Sequence, residues 1–370
     1  MTTDYDIDLR NQFNVARDEM RDGLIERERE IDACFWGLLS GQHCLMVGPP
    51  GTGKSLLVDS LLRWIDGNRY SALLNKFMTP EEVFGPLSLP ELKAGAYRRL
   101  TAGYLPTAHV AFLDEIWKAS SAILNTSLKV LNEREYRNGT VTERCPLLLA
   151  VAASNEYPAA DSAQELGALF DRFLIRLNVS PIRSDAGLRR IAFGECGVEF
   201  SGSISPDDIW SARAKSKNLP VAADAQDAGL RILKLANKEG IHPGDRRWQK
   251  SWDVCRAAAW LDGAPEVEPE HLEPLAHTLW VDPAEQPRVL ASIVGEIANP
   301  AGMAVSGHMA EAQDALSGVT GDLSTLLAAT KRLADIHKSL KKLPAAKAAK
   351  ACDWVESEIK RLKMQAVGSV

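Results

Sequence analysis

The 370-residue chain is short of several things, and each shortage removes a class of function. Basic residues are outnumbered, 43 Lys and Arg against 49 Asp and Glu, for a net charge of −6. A nucleic-acid binder usually shows the opposite balance. No apolar run approaches the ~20 residues of a membrane span. The first residues, with Asp4, Asp6 and Asp8, are acidic where a signal peptide would be basic. A cytoplasmic protein with no membrane partner is expected. Cysteine is sparse: Cys34, Cys44, Cys145, Cys196, Cys255 and Cys352 lie far apart, several within apolar runs, and none forms C-x-x-C. They read as reduced, buried thiols. With no such pair to accompany the histidines, structural zinc is not expected. What remains is an ordinary globular composition, 45% hydrophobic and 25% charged, long enough for two or three domains.

What the chain does have is Gly48-Pro49-Pro50-Gly51-Thr52-Gly53-Lys54-Ser55. An apolar run, Cys44–Val47, precedes it and reads as a buried strand. An apolar-periodic run from Leu56 follows and reads as a helix. Strand, glycine loop and helix are the context that makes G-x-x-x-x-G-K-S a phosphate-binding loop rather than a glycine-rich turn. Glycines let backbone N–H groups close around a triphosphate, and the helix N-terminus adds about half a positive charge. Lys54 would reach the outer phosphates of ATP, and the Ser55 hydroxyl would hold Mg²⁺.

Val110–Leu113 is a second continuous apolar run, ending in Asp114-Glu115. It reads as a buried parallel strand carrying two carboxylates at the edge where open α/β sheets bind ligands. Asp114 would bind Mg²⁺ through water, and Glu115 would polarise the attacking water as general base. A third buried strand, Leu147–Val151, leads to Asn155, whose amide could hydrogen-bond the γ-phosphate or the water. Asn is also a routine strand-ending residue. Before the last strand, Leu174–Leu177, stands Arg172. It cannot easily reach its own phosphate loop. It reads either as a contributor to the next subunit's site in a ring or as a structural partner of Asp171 or Glu165.

The other segments set the organisation. Residues 1–13 are polar and read as a flexible terminus. The beginning of the first periodic helix, Gly23–Arg27, either lies near the nucleotide base or simply packs in the core. Residues 87–107, with Tyr97, Arg98, Arg99 and Tyr104, read as a projecting insertion, able to grip a polymer or merely solvated. The Asn138-Gly139 turn makes 135–142 a β-hairpin. Residues 183–204 read as a linker. Beyond it the pattern is helical, first over 205–282. There Arg246 and Arg247 open a helix against its dipole, which suggests an anionic partner or a solvated pair. Over 283–370, Leu326 to Leu343 and Ala348 to Leu362 form two seams broken at Pro344, an antiparallel helical hairpin.

With these residues in view, the chain resembles the MoxR family of AAA+ ATPases and, within it, the RavA branch. The resemblance rests on the phosphate loop, Thr79–Leu87, Phe112–Lys118, Ile123–Asn125, Ala153–Glu156, Asp171–Phe173 and Gly244–Trp248, in order from about Gly23 to Val281. It implies an αβα sandwich with a parallel sheet (14–182), an all-helical lid (205–282) and a C-terminal helical extension. It implies roles too: Asn155 as sensor 1, Arg172 as arginine finger, Arg246 as sensor 2 with Arg247 the competing choice, and Leu56 beside the nucleotide. Segment 87–107 would be the helix-2 insert and 135–142 the pre-sensor hairpin. Members form hexamers and act as chaperone-like remodellers, commonly with a von Willebrand A-domain partner. RavA-type proteins also carry a β-rich module that contacts a lysine decarboxylase. Pro344 leaves no room for it here, so that partner is not carried over. Two other classes fit the loop less well. A nucleic-acid translocase or loader conflicts with the acidic balance, and a small-molecule kinase conflicts with the lid arginines and the finger.

Overall fold

The computed structural model describes residues 4–157, 169–194, 197–317, 323–343 and 345–368. Five parallel strands make the central sheet: β1 (Cys44–Val47), β2 (Arg69–Leu73), β3 (Val110–Asp114), β6 (Leu149–Ser154) and β7 (Ile175–Asn178), in the order β2-β3-β6-β1-β7. Alternate residues of the inner strands serve opposite faces, as the two-residue period requires. Cys44, Met46, Val110, Phe112, Val151 and Ile175 enter one core. Leu45, Val47, Ala111, Leu113, Ala150 and Ala152 enter the other. Helices α1 (Asp4–Gly23), α2 (Glu28–Ser40) and α3 (Lys54–Trp64) cover the first face; α4 (Pro80–Phe84) and α6 (Ser121–Glu133) cover the second. Because both faces are covered, the inner strands read as unbroken apolar runs. The αβα sandwich stands as expected.

Three boundaries differ from the sequence reading. The terminus expected to be flexible, 1–13, is helical from Asp4. Leu9 and Phe13 begin a stripe that continues through Ala16 and Met20, all buried. Phe13 meets Phe35, Trp64 and Trp260 edge-on at 6.3, 5.3 and 5.5 Å. The three-and-four spacing outweighs the polar composition. The linker 183–204 contains a helix, α7 (Asp185–Phe193), whose first turn is capped by the Ser184 hydroxyl accepting from the Gly187 amide. Ile204 also makes a parallel bridge to Ile65, so the segment is pinned to the sandwich.

The helical region does not divide at 282. Helices α8 (Pro206–Lys217) and α10 (Asp245–Asp262) send Ile209, Ala212, Val254 and Ala257 into the sandwich's own core. The lid core is built by α9 (Ala223–Lys238), the short α11 (Leu275–Thr278) and α12 (Gln286–Ala298). Leu290, Val294 and Ala298 of α12 pack there with Ile232, Leu275 and Trp280, so the lid runs on to Ala298. Helix α13 (Pro300–Ser317) adds Ala312 to a separate cluster with α14 (Leu323–Leu340) and α15 (Ala345–Gly368). The last two form the antiparallel pair, Leu333, Ile336 and Leu340 packing with Val355, Ile359 and Leu362. Pro344 itself lies outside the described residues.

The insertion and the hairpin brace each other. Strands β4 (Glu135–Asn138) and β5 (Val141–Arg144) join through Gly139-Thr140, where Gly139 has φ +66. Asn138 is buried, accepts from the Arg99 amide at 2.7 Å and donates to the Arg99 carbonyl at 3.0 Å. A Cβ on Gly139 would fall 2.1 Å from the Tyr97 carbonyl, so the two segments can approach only through glycine. Helix α5 (Leu89–Lys93) carries the insertion's outer turn.

Candidate nucleotide-binding site

Strands β3, β6 and β1 are neighbours, so three segments distant in sequence emerge together at their carboxyl ends. The register pairs Val47 with Ser154 and Leu113 with Ala152, and the Gly48 amide donates to the Ser154 carbonyl at 3.1 Å. Gly48, Glu115 and Asn155 therefore rise side by side. A Cβ on Gly48 would lie 2.1 Å from the Val179 carbonyl, which only glycine tolerates. Gly53, at φ +79, turns the loop into α3.

Lys54 is the hub. Its Nζ donates to the Gly48 and Pro49 carbonyls at 2.6 and 3.0 Å and to Asn155 Oδ1 at 3.2 Å. Burial lowers the Lys54 pKa, while Asp114 and Glu115 push it up. The Asn155 amide NH₂ donates to Glu115 Oε1, so one side chain joins the ammonium to the carboxylate. Glu115 Oε2 lies 3.3 Å from Lys118 Nζ. Asp114 Oδ1 accepts from the Glu115 amide at 2.9 Å, which helps hold Glu115 in its left-handed backbone conformation, φ 54. Ser55 and Leu56 are exposed beside the loop. A Cβ on Gly51 or Gly53 would meet nothing within 4 Å, so the loop presents open space on the side a triphosphate would fill. Lys54 satisfies itself on its own loop's carbonyls, partners that an anion could replace. The residues present fit Mg²⁺-ATP, with Ser55 and Asp114 as the oxygen donors for the metal.

Arg27 is the supporting residue that sequence reasoning located only as part of a segment. Its guanidinium donates to the Thr52 carbonyl at 2.8 and 3.0 Å and to the Ser180 carbonyl at 3.0 Å. It ties the start of α2 to the phosphate loop and to the chain leaving β7. The neighbouring Glu26 carboxylate accepts from the amides of Arg183 and Ser184, each at 2.9 Å. Replacing Arg27 with Met is expected to lower affinity for ATP about tenfold or more, because a bond from a charged donor contributes ~1.5–3 kcal/mol. A fluorescent nucleotide titration measures it; unchanged affinity would remove Arg27 from the support of the loop.

The arginines stand elsewhere. Ile175 donates to the His43 carbonyl at 3.2 Å, so β7 starts level with β1 and Arg172 lies at the amino ends of the strands. The four residues of β1 place that edge about 13 Å from the phosphate loop. Arg172 lines a cavity of about 290 Å³ with Arg134, Arg213 and Lys250. Its Nη1 is 3.7 Å from Asp171, a loose contact, since Asp171 is held by Arg247 at 2.6 Å. Glu165, the other partner considered, lies outside the described residues. Arg246 shares the same edge, donating to Asn132 Oδ1 at 3.0 Å. Arg247 is not available to a nucleotide, contrary to its reading as a competing contact. It is 5% exposed, and besides Asp171 it donates to the carbonyls of Thr278 at 2.8 Å and Leu174 at 3.3 Å. Helix α10 turns this residue inward, where it fastens the lid to β7. The sandwich therefore carries a phosphate-loop half-site at one sheet edge and a cluster of cations at the other.

Residues 11–200 match the model of the MoxR domain found in MoxR-vWA-beta-propeller ternary systems, and residues 230–293 match an AAA lid domain. An uncharacterized protein of Methanocaldococcus jannaschii, MJ0812, is 36% identical over 75% of this chain and 74% of its own length. A second from that organism, MJ0079, is 34% identical over 79% and 76%. Chaperone MoxR1 of Mycobacterium tuberculosis is 24% identical over 44% of this chain and 42% of its own. A crystal structure from Cytophaga hutchinsonii, provisionally described as an ATPase, superposes with a TM-score of 0.63 at 16% identity, covering 78% of this chain and 95% of that one. The phosphate loop, the Asp-Glu strand end and the following Asn thus sit in a domain whose model spans half the chain: the protein belongs to the MoxR family of AAA+ ATPases.

Proposed function

We propose that the chain hydrolyses ATP with Mg²⁺ as one subunit of a homohexamer and uses that cycle to remodel a protein client in the cytoplasm. The observation that carries this reading is the separation of charge. Lys54, Glu115 and Asn155 gather at the carboxyl edge of the sheet, and Arg172 and Arg246 gather at the amino edge. Complementary half-sites on opposite edges suit a head-to-tail contact, which closes into a ring. In that arrangement Arg172 and Arg246 act in trans on the nucleotide of the next copy. Ser55 and Asp114 hold Mg²⁺, partly through water, and the metal neutralises charge on the phosphates. Asn155 holds Glu115 in place while Glu115 takes a proton from the attacking water.

A von Willebrand A-domain partner is supported by the description of the matched model, which comes from systems that pair MoxR with such a protein. The chaperone-like role is supported by the likeness to MoxR1. The RavA-like placement rests on the ordered motifs quoted above, without the β-rich module. All described elements after residue 283 are helical. Among the described residues no single helix is long and apolar enough to cross a membrane.

Turnover per chain is expected to rise steeply with protein concentration as rings assemble, and to be near zero in dilute monomer. ATP hydrolysis measured alongside sedimentation checks this. A lone chain working at the full rate would overturn the reading. Copurification with a von Willebrand A-domain protein tests the partner.

A further inference from the structure

Arg172 and Arg246 are not alone at the amino edge. Lys250 lies one turn beyond Arg246 on the same face of α10 and lines both the 290 Å³ cavity and the smaller pocket beside it. Among the described residues it makes no hydrogen bond and no ion pair within 4 Å. The acids nearby are already taken: Asp171 by Arg247 at 2.6 Å and Asp253 by Arg256 at 3.3 Å. The other cations of the cavity are taken too. Arg213 donates to the carbonyls of Leu38 and Leu148, and Arg134 to those of Leu147 and Gly41. A half-buried ammonium surrounded by guanidinium groups carries an electrostatic cost that an anion would relieve. Consistent with this, burial and the charges of Arg246, Arg134 and Arg172 lower its pKa, offset only in part by the Asp171 carboxylate. The dipole of α10 also favours an anion at this end.

We propose that Lys250 is a further catalytic residue, joining Arg172 and Arg246 in a socket for the terminal phosphate of the ATP held by a neighbouring copy. The proposal rests on the head-to-tail ring. A flexible ammonium suits the task, because it supplies a mobile point charge where the two guanidinium groups supply planar contacts. In the single chain Arg172 has only a loose contact with Asp171 and Arg246 only a neutral amide oxygen; in the ring the next phosphate loop brings the anion to them and to Lys250.

The test uses the full chain with Lys250→Met, which keeps most of the aliphatic stem, and thermal unfolding checks that the fold is retained. Hydrolysis is expected to fall about 10²-fold, the usual loss of one charge-stabilising donor, while ATP binding at the intact Lys54 loop persists. Wild-type turnover in the variant would overturn the proposal. Mixing Lys250→Met protein with Lys54→Ala protein is expected to restore part of the activity, since some junctions then pair an intact loop with an intact socket. The Arg172→Ala and Lys54→Ala mixture runs beside it. If that pair recovers and the Lys250 pair does not, the socket falls and the ring stands; if neither recovers, the ring reading falls and takes the socket with it. Inorganic phosphate titrated calorimetrically into nucleotide-free protein distinguishes the source of the anion. No binding is expected, and binding that Lys250→Met abolishes would make this a free-anion site and overturn the proposal.

Discussion

Glu115→Gln protein is expected to bind ATP as the wild type does and to hydrolyse it about 10²- to 10⁴-fold more slowly, the range for a lost general base. The substitution is nearly isosteric. The Gln oxygen can still accept from the Asn155 amide, so the bridge to Lys54 survives, and Lys54, Ser55 and Asp114 are untouched. What disappears is the ability to take a proton from water at the end of β3. Phosphate release gives the rate and nucleotide titration gives the affinity; normal turnover with intact binding would exclude Glu115 as the base. A loss of binding would instead mean that the carboxylate holds the loop together, a structural role its contact with Lys118 could also serve.

The second large effect belongs to Arg172. Arg172→Ala is expected to assemble and bind nucleotide yet lose about 10³- to 10⁵-fold in turnover, the scale of an arginine finger. The geometry argues for action in trans: the side chain sits at the amino edge of the sheet, one strand length from its own loop, and its contact with Asp171 is loose. Mixing it with Lys54→Ala protein, each inactive alone, should recover measurable hydrolysis. Failure to recover any would leave trans donation unsupported. Loss of assembly instead would recast Arg172 as an interface residue.

Much of the phosphate-loop half was legible in the chain. Glycines, Lys54 and Ser55 are contiguous, and Asp114, Glu115 and Asn155 each end an apolar run, so a two-residue period and a strand length place them at one edge. The amino edge was not. Arg134, Arg172, Arg213 and the pair Arg246 and Lys250 come from four separate stretches, and only the packing of α8 and α10 against the sandwich brings them together. Arg246 and Arg247 show the limit most plainly. As neighbours in sequence they looked interchangeable, but the 100° step of a helix points one to solvent and the other to Asp171 and the Thr278 carbonyl. The buried His43 ring, which accepts from the Ala150 amide at 2.9 Å and meets the Leu131 carbonyl at 2.8 Å, left no sequence signal at all. Burial holds it well below the usual histidine range, so it acts as a neutral tie between strands.

Local order in the chain was enough to determine the buried strands of the sandwich, the phosphate loop, the Asp114-Glu115 strand end, the hairpin at Gly139 and the paired helices at the end. Each of these elements is set by residues near one another in the chain, where backbone period and turn chemistry decide. Tertiary structure alone decided that residues 4–13 fold onto the sandwich, that the lid reaches Ala298, that Arg247 is an internal brace and that the cations gather opposite the phosphate loop. Those outcomes come from which faces bury one another across the fold; a period such as that of Leu9, Phe13, Ala16 and Met20 marks an apolar face but does not name the surface that covers it.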